Sequence, residues 1–400
     1  MNSMIQDAVA CLGPGPLTED AIQQHVAPLF SHVLASERIY LANHSLGRPL
    51  DAMSDDVREG LSLWETKLGD AWDEWLAERE AFRARVAALI HAPRADCIVP
   101  RTSAGQGLRA VLNALPGKLR VLSTRGEFDS IDVILKQYAS VGRIWVRWVQ
   151  PDADGYFSVE RVIEHLHEGV DLVVISQVMF MTGQLLAGLD QLAEACHPVG
   201  AKLLVDAYHA VGALPVDVST IRADIMIGGS YKYLRGGPGA AFLYLSPEIL
   251  EGGLRPLDTG WFARDNAFSF ERTDVPVLKR GGDAFLEATP PVLTWYQARS
   301  GQQFTLAMSV ERLREYGLMQ LARLKQYLAD AGVHATGGDA EHGAFLVVRH
   351  ARAGDLVKKL EESGIITDAR GECLRICPDC LTRDTELRAV ADALSRVISS

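Results

Sequence analysis

Six short apolar runs, separated by helical stretches, fill the middle of the sequence. They are LRVLST (119–124), RIWVRWV (143–149), DLVVISQV (171–178), AKLLVDA (201–207), ADIMIGG (223–229) and AAFLYLS (240–246). Runs with so few polar positions are typical of strands buried on both faces, and the intervening helices favour parallel connections. With a further strand near residue 97, the sequence predicts an α/β fold built on a mostly parallel sheet of the seven-stranded type.

The two ends of the chain have a different pattern. Residues 51–92 repeat apolar side chains at steps of three and four, which predicts a long helical stretch. The C-terminal pattern predicts helices at 304–333, 354–363 and 384–398 and strands at 343–350 and 374–378. We therefore expect a large domain over 51–300, and a smaller α+β domain formed by 1–50 together with 301–400.

Charge and composition exclude several classes of function. The chain has 51 acidic and 40 basic residues, a net charge of −11, whereas a nucleic-acid surface needs a basic footprint. No apolar run approaches the roughly 20 residues that span a bilayer, and the N-terminus lacks the pattern of a secretory signal. We expect a cytoplasmic protein with reduced thiols, and no nucleic-acid or membrane partner.

Three of the six cysteines, Cys373, Cys377 and Cys380, are close in sequence. Their C-x3-C-x2-C spacing can hold an iron–sulfur cluster through thiolates. The spacing lies partly within a strand-like segment, and short motifs of this kind often arise by chance. We therefore predict no metal site.

Residues suited to chemistry come directly after the predicted strands, where a parallel α/β sheet binds its ligands. Asp206 ends one strand, and His209 follows three residues later. Lys232 lies in SYKYL, immediately after another strand, and Phe128 lies in GEFDS after a third. The turn TSAGQG (102–107) leads from a strand into a helix, and it presents backbone N–H groups that suit a phosphate.

A lysine, a carboxylate, an anion-binding turn and an aromatic ring together meet the needs of pyridoxal phosphate (PLP). The lysine forms the Schiff base, the carboxylate keeps the pyridine nitrogen protonated, the turn binds the phosphate, and the aromatic ring stacks on the cofactor. The glycines on both sides of SYKYL allow the backbone to approach a flat ligand closely. The sequence contains no Walker motif, no dinucleotide fingerprint after a first strand, no H-E-x-x-H and no nucleophile elbow. PLP is therefore the predicted cofactor.

Beyond these residues, the chain resembles the fold-type I PLP enzymes, and among them the class V aminotransferase group. Within that group it is most similar to the kynureninases. The resemblance runs from about residue 38 to 300, with a weaker match in the last 30 residues. The matching motifs are IYLANHSLGRPL (39–50), MFMTGQ (179–184), DAYHAVG (206–212), SYKYL (230–234), GWF (260–262) and ATPPVL (288–293).

The resemblance implies a role for each matching position. Lys232 would be the Schiff-base lysine, Asp206 the partner of the ring nitrogen, and His209 a catalytic residue beside the cofactor. Arg375 resembles the arginine that clamps the substrate α-carboxylate, and His44 lies on the substrate side. The other implied cofactor contacts are Ser103, Ala104, Gly105, Phe128, Ser130, Ser176, Tyr231, Trp261 and Thr289. Trp261 would come from the partner subunit of a homodimer, and Thr289 would also contact the substrate.

Three of the matching positions depart from the kynureninase pattern. Met181 replaces a tyrosine proposed to shuttle protons, which a thioether cannot do, while Thr289 and His44 each replace an asparagine. The resemblance implies an enzyme that acts on an amino acid, with kynureninase-type hydrolytic cleavage of a Cβ–Cγ bond as the first expectation. A class V aminotransferase, a β-eliminating lyase or desulfurase, and a catalytically silent PLP-binding protein remain the alternatives.

Overall fold

The computed structural model describes residues 2–269 and 272–399 of the chain. Its strands are β1 (Ile39–Tyr40), β2 (Ile98–Arg101), β3 (Leu119–Thr124), β4 (Ile144–Val149), β5 (Leu172–Ser176), β6 (Lys202–Asp206), β7 (Ile225–Gly229), β8 (Ala241–Leu245), β9 (Leu346–Arg349), β10 (Ile365–Ile366), β11 (Asp368–Arg370) and β12 (Cys373–Ile376). Seven of these form the central sheet, in the order β2-β8-β7-β6-β5-β3-β4.

The α-helices lie on both sides of this sheet and at the two ends of the chain. They are α1 (Ser3–Cys11), α2 (Glu19–Ala21), α3 (Ser31–Leu34), α4 (Ala52–Lys67), α5 (Trp72–Leu89), α6 (Ala104–Ala114), α7 (Asp129–Ser140), α8 (Val159–Ile163), α9 (Leu189–Cys196), α10 (Val218–Ile221), α11 (Pro247–Glu251), α12 (Leu293–Met308), α13 (Val310–Asp330), α14 (Ala353–Glu362) and α15 (Asp384–Ser399). No helix among the described residues is long and apolar enough to cross a membrane.

The prediction of a mostly parallel seven-stranded sheet is confirmed. Strands β3 to β7 pair in parallel with their neighbours, and β8 runs antiparallel to both β7 and β2. Successive side chains of β5 point to opposite faces: Val173 belongs to one apolar cluster and Val174 to the other. Because both faces are covered in this way, the strands need the nearly continuous apolar sequence from which they were predicted.

A third apolar cluster lies around the three-stranded sheet β11-β12-β9. It joins this sheet to α13, α14 and α15 through leucines such as Leu324, Leu356 and Leu394. The N-terminal segment reaches the same region, since β1 pairs in parallel with β10. The expected domain boundary near residue 300 falls inside α12, and the division into two domains stays a prediction.

Two helical predictions need correction, and one helical stretch was not predicted. The long helix expected over 51–92 is two helices, α4 and α5, separated by a 3₁₀ turn at Leu68–Ala71. The helix expected over 304–333 is interrupted at Ser309, where φ is +64° and the side chain caps α13. The helical part of α12 before residue 304 was missed. In the first two cases the apolar spacing continues across the break, so periodicity alone cannot reveal it.

Candidate active site

A cavity of about 400 Å³ opens at the carboxyl ends of β5, β6 and β7. That volume is within the range of small-molecule sites, about 300–1,000 Å³. Ten of the predicted site residues line it: Ser103, Ala104, Gly105, Phe128, Ser130, Ser176, Asp206, His209, Tyr231 and Lys232. The fold thus brings together residues that lie more than a hundred positions apart in sequence.

Lys232 occupies the centre of this cavity and is only 5% exposed. Its Nζ lies 2.6 Å from His209 Nε2, and the Phe128 and Tyr208 rings flank it at 5.4 and 5.2 Å. Burial lowers the pKa of Lys232 well below its ordinary value, although the charge of Asp206 opposes part of this shift. A lysine that gives up its proton this readily can act as a nucleophile or as a base.

Asp206 ends β6 and forms part of the cavity floor. Its Oδ1 accepts a hydrogen bond from the backbone N–H of Tyr208 at 2.9 Å, which fixes the carboxyl group in place. Burial raises the pKa of Asp206, while this hydrogen bond and the charge of Lys232 oppose the shift. Because the charge of Lys232 offsets burial only in part, a cationic ring nitrogen beside this fixed carboxyl group would favour its ionised form.

The N-terminus of α6 forms the anion-binding end of the cavity. Ser103 caps this helix, and its Oγ accepts a hydrogen bond from the N–H of Gln106 at 3.1 Å. The N–H groups of Ala104 and Gly105 stand in the first turn, where a helix offers them no carbonyl, and the helix dipole favours an anion there. Arg109, one turn further on, also lines the cavity and was missed by the sequence reasoning.

Two local features test whether pyridoxal phosphate fits here. His209 is 5% exposed, and its Nδ1 is buried without a hydrogen-bond partner in the part of the chain that the structure describes. At Gly229, a Cβ would lie 2.1 Å from the Tyr208 hydroxyl oxygen, so only glycine lets that ring lie along the floor. This cofactor fits a site that offers a nucleophilic lysine, a fixed carboxyl group, a phosphate-binding turn and an imidazole whose Nδ1 has no partner among the described residues.

Two predicted cofactor residues lie away from the cavity of their own chain. Trp261 packs on Phe262 and Phe268, with ring centroids 4.2 and 5.4 Å apart. Thr289 lines a separate cavity of about 230 Å³, together with Arg101. Their roles as cofactor or substrate contacts stay predictions, and they would require a second copy of the chain.

The predicted substrate residues His44 and Arg375 lie beside the cavity, and both contact Asp368. His44 Nε2 is 2.7 Å from Asp368 Oδ1. Arg375 donates from Nε at 2.8 Å and from Nη2 at 2.6 Å to the same carboxylate, and from Nη1 to the Phe180 carbonyl oxygen at 2.5 Å. Burial alone would raise the pKa of Asp368, but the hydrogen bonds from His44 and Arg375, together with the charge of Arg375, hold it well below its usual range.

Sequence reasoning missed Asp368 because its importance depends on a strand pairing. Asp368 and Arg375 are direct cross-strand neighbours in the antiparallel pair of β11 and β12. If residues 365–376 had been interpreted as two paired strands, this opposite-charge pair would have been predicted.

Another partner of Asp368, His44, is uncharged. Burial lowers the pKa of His44 to about 4, so its ring is neutral near neutral pH.

The segment that we call the lysine loop (230–236) is held from outside by the N-terminal motif. Gly47 donates its N–H to the Tyr231 carbonyl oxygen at 2.8 Å. A Cβ at Gly47 would lie 1.9 Å from the Lys232 carbonyl oxygen, so the contact requires glycine. Arg235 adds a further hydrogen bond, from its N–H to the Lys232 carbonyl oxygen at 3.1 Å. Two of the matching motifs therefore touch at the reactive lysine.

The cysteines take no part in this site. Cys11 is exposed, and the other five thiols are buried. Cys377 donates from its Sγ to the Ala344 carbonyl oxygen at 3.0 Å, and Cys380 accepts a hydrogen bond from Arg235. Among the described residues, no group of three or more histidines, cysteines or acidic residues is arranged to hold a metal ion.

The sheet and the residues at its carboxyl edge define a fold-type I PLP enzyme. The sequence matches the family "Aminotransferase class-V" over residues 49–390, and the chain belongs to that family. Its cofactor is pyridoxal phosphate.

Curated relatives extend this result along most of the chain. An uncharacterized aminotransferase, YcbU, from Bacillus subtilis is 27% identical over 356 residues, which cover 88% of this chain and 91% of the relative. The kynureninase of Geobacillus thermodenitrificans is also 27% identical, covering 87% of this chain and 85% of that protein. A kynureninase from Deinococcus radiodurans is 27% identical over 84% of each chain.

Solved structures support the fold. A mutant of C-DES with glycine covalently linked to the PLP cofactor has a TM-score of 0.83 at 19% identity, covering 92% of this chain and 98% of that one. The cysteine desulfurase CsdA from Escherichia coli has a TM-score of 0.81 at 17% identity, covering 96% and 99%. At these identities the likeness concerns the fold alone.

Proposed function

We propose that this enzyme is a kynureninase-type hydrolase. It would act on an α-amino acid that carries a carbonyl group at Cγ, with kynurenine as the first substrate to test. Water would add to the γ-carbonyl, the Cβ–Cγ bond would break, and the products would be alanine and a carboxylic acid. One water molecule is consumed, and no oxidant, reductant or second amino acid is needed.

The contact between the N-terminal motif and the lysine loop carries this proposal. The NHSLG segment (43–47) and SYKYL (230–234) are the two motifs with the clearest kynureninase pattern. Gly47 donates to the Tyr231 carbonyl oxygen at 2.8 Å, so the two motifs form one unit around Lys232. The similarity to several kynureninases, which extends over more than four fifths of both chains, supports the same assignment.

The bound cofactor supplies an electrophilic carbon for the amino group and a conjugated ring that accepts electrons. Lys232 would hold the cofactor and then take the proton from the substrate Cα, a role that fits its lowered pKa. Asp206 would hold a proton on the ring nitrogen. His209, 2.6 Å from Lys232 Nζ, would keep the amine oriented between these steps.

The substrate side of the site assigns a second task to Lys232. Met181 has no titratable group, so it cannot supply the proton that Cβ must receive once the Cβ–Cγ bond has broken and the acyl group has left. Lys232 is a buried base that lines the cavity, and it would return the proton to Cβ to give alanine. Arg375 would bind the substrate α-carboxylate, and Asp368 would hold its guanidinium in place.

The cysteine distribution argues against a desulfurase. That reaction needs a mobile nucleophilic cysteine, and no cysteine lines the cavity in the described part of the chain. Burial raises the pKa of the Cys377 thiol and also that of Cys380, which makes both weak nucleophiles. The exposed thiol, Cys11, lies in α1 outside the cavity lining.

A product assay in heavy-oxygen water tests the proposal. Kynurenine and aliphatic γ-keto amino acids are incubated with the PLP-loaded enzyme, and the products are identified by mass spectrometry. The hydrolase predicts alanine together with a carboxylic acid that carries one heavy oxygen, and Lys232→Ala as an inactive control. A 2-oxo acid whose formation depends on an amino acceptor would instead identify an aminotransferase, and sulfide from cysteine would identify a lyase.

We also propose that the working site belongs to a homodimer. Apolar side chains around Trp261 are exposed in the single chain, namely Leu257, Phe268, Val275 and Val277. Mixing Lys232→Ala with Trp261→Ala tests whether Trp261 acts on the partner's site. If Trp261 acts on the partner's site, each mixed dimer contains one intact site and one inactive site. About half of the dimers are mixed, so up to about a quarter of the original activity would return. If Trp261 acts within its own chain, mixing restores nothing.

A further inference from the structure

Glu127 is a second buried carboxyl group at the floor of the PLP site, and the mechanism above leaves it without a role. It is 4% exposed. Thr124 Oγ1 lies 2.6 Å from Glu127 Oε1, and Ser176 Oγ lies 2.6 Å from Oε2. Its carboxyl group therefore bridges the carboxyl ends of β3 and β5, two neighbouring strands of the central sheet.

The surroundings of Glu127 contain a negative group but no positive partner. Ser176 is the register partner of Asp206 on the adjacent strand, so the two carboxyl groups share one floor. Within the described residues, no lysine or arginine forms an ion pair with Glu127. Burial raises the pKa of Glu127 to about 7; its hydrogen bonds with Ser176 and Thr124 oppose this shift, and the charge of Asp206 adds to it.

The position of Glu127 in the chain links this bridge to the stacking ring. Phe128 is the next residue and caps α7, and its ring lies 5.4 Å from Lys232 Nζ. The turn is tight, because Gly126 donates its N–H to Thr124 Oγ1 at 3.1 Å. With residue 127 tied to two strands and residue 129 opening a helix, the Phe128 ring has little freedom to move away from the cavity.

We propose that Glu127 is a positioning residue of the PLP site, which anchors the Phe128 turn to β3 and β5 through its two hydroxyl partners. Because Glu127 shares the floor with Asp206 and has no cationic partner in the described part of the chain, it is the one of these two carboxyl groups that keeps its proton. The inference concerns cofactor binding and is independent of the amino acid on which the enzyme acts.

The proton on Glu127 also affects Ser176. A protonated carboxyl group donates one hydrogen bond, and a hydroxyl that accepts it can donate its own hydrogen elsewhere. Ser176 lines the cavity. With the Glu127 proton directed at Ser176, the Ser176 hydroxyl hydrogen would be free to point into the cavity, where the resemblance implies a cofactor contact. With Glu127 ionised, Ser176 Oγ donates to Glu127 instead.

Two substitutions separate the hydrogen bonds that Glu127 makes with Thr124 and Ser176 from the ionisation of its carboxyl group. Glu127→Gln keeps a planar hydrogen-bonding group of the same size but cannot ionise, whereas Glu127→Leu removes both hydrogen bonds. Glu160→Gln, an exposed position in the first turn of α8, is the matched control. The measured quantities are PLP affinity by equilibrium dialysis, the circular dichroism of the bound cofactor, and the pH titration of its absorption.

We expect Glu127→Gln to bind PLP like the wild type, with a titration midpoint within about 0.3 pH units of it. Glu127→Leu should bind PLP about tenfold more weakly, because two buried hydroxyl groups lose their partner, and should lose most of the cofactor's circular dichroism. A midpoint shift of about one unit or more in Glu127→Gln would show that Glu127 is charged and would overturn the proposal. Wild-type affinity in Glu127→Leu would do the same.

The cofactor-free protein gives an independent test. Burial raises the pKa of Glu127 to about 7 in the folded state from its ordinary value of 4.5. The stability that it contributes is thus complete below pH 4.5 and is lost as the pH rises through 7. The groups that face Glu127 are Thr124, Ser176 and Asp206, and Glu127→Gln leaves all three in place. The urea midpoint of the wild type should fall relative to that of Glu127→Gln over this range, and parallel profiles would overturn the proposal. If Glu127→Leu does not fold, Thr124→Val replaces it, because Thr124 bonds Glu127 without lining the cavity. Weaker PLP binding is again expected, and wild-type affinity would contradict the anchor.

Discussion

Asp379→Asn would remove one negative charge from a buried group of three side chains and leave two arginines without a counter-charge. Asp379 accepts hydrogen bonds from Arg48 Nη2 and, at 2.7 Å, from Arg235 Nη1. All three side chains are less than a tenth exposed. Burial alone would raise the pKa of Asp379, but the charges of Arg48 and Arg235 outweigh it and keep the carboxylate ionised.

The expected cost follows from this burial. Removing one partner of a buried ion pair destabilises a protein by about 3–5 kcal/mol. Because Asp379 serves two guanidinium groups, we expect a loss of about 5 kcal/mol, the upper end of that range. Asp355→Asn is the matched control, since its pair with Lys358 is 3.8 Å long and 66% and 78% exposed. That exposed pair should contribute at most about 1 kcal/mol.

The assay is urea unfolding followed by tryptophan fluorescence, with and without PLP. A loss for Asp379→Asn within about 1 kcal/mol of the Asp355→Asn control would refute the reasoning. Arg48→Met gives a second comparison, because it leaves the Asp379–Arg235 pair whole and should cost less than Asp379→Asn. The reverse order would also refute it. Since Arg235 donates its N–H to the Lys232 carbonyl oxygen, PLP affinity should fall together with stability.

Three further predictions concern single positions. Gly47→Ala places a Cβ 1.9 Å from the Lys232 carbonyl oxygen and should lower PLP affinity roughly tenfold by dialysis; Gly354→Ala, with open space around it, is the control, and equal affinities would contradict the steric argument. Cys11 should be the one thiol that reacts with a disulfide reagent in the native protein, as the other five are buried; a second fast-reacting thiol would contradict this. Burial lowers the pKa of His44 to about 4 from 6.5, so the stability that its neutral ring contributes is lost as the pH falls from 6.5 to 4. Urea unfolding should show a loss of about 3 kcal/mol over this range in the wild type but not in His44→Asn, and parallel profiles of the two proteins would contradict the prediction.

The strands were predictable because a buried parallel strand has few alternatives in sequence. LRVLST at 119–124 coincides with β3, and AKLLVDA at 201–207 encloses β6. Once these strands are parallel, their carboxyl ends meet at one edge, so Asp206 and Lys232 had to be close. Strand positions therefore predicted that Asp206, Lys232 and Phe128 would line one cavity, whereas Trp261 and Thr289, which the resemblance alone implied, lie outside it.

The helices at the two ends were less predictable, for a reason visible at Ser309. The apolar spacing of α12 continues into α13, but Ser309 adopts a positive φ of 64° between them. Spacing measures which side chains face inward, and it does not register a change in the direction of the helix axis. The first part of α12 was missed because its buried residues include Trp295, Ser300 and Gln302, which give no apolar stripe.

The substrate half of the site depends on contacts between distant segments. Asp368 accepts hydrogen bonds from Ser45, at a separation of 323 positions, and from Arg375, at a separation of seven. The first contact exists because β1 pairs with β10, and both strands are two residues long. Strands this short leave almost no pattern in a sequence, so the contact between Ser45 and Asp368 was not predictable from it.

Asp368 determines how Arg375 can meet a substrate carboxylate in the proposed reaction. A guanidinium carries five N–H groups in a planar fork. Arg375 uses Nε and Nη2 for Asp368, and Nη1 for the Phe180 carbonyl oxygen. One N–H remains on each terminal nitrogen, and a carboxylate can accept both in a bidentate arrangement. Because Asp368 already fixes the plane of the fork, a substrate that reaches it binds an ordered arginine, and less side-chain entropy is lost on binding.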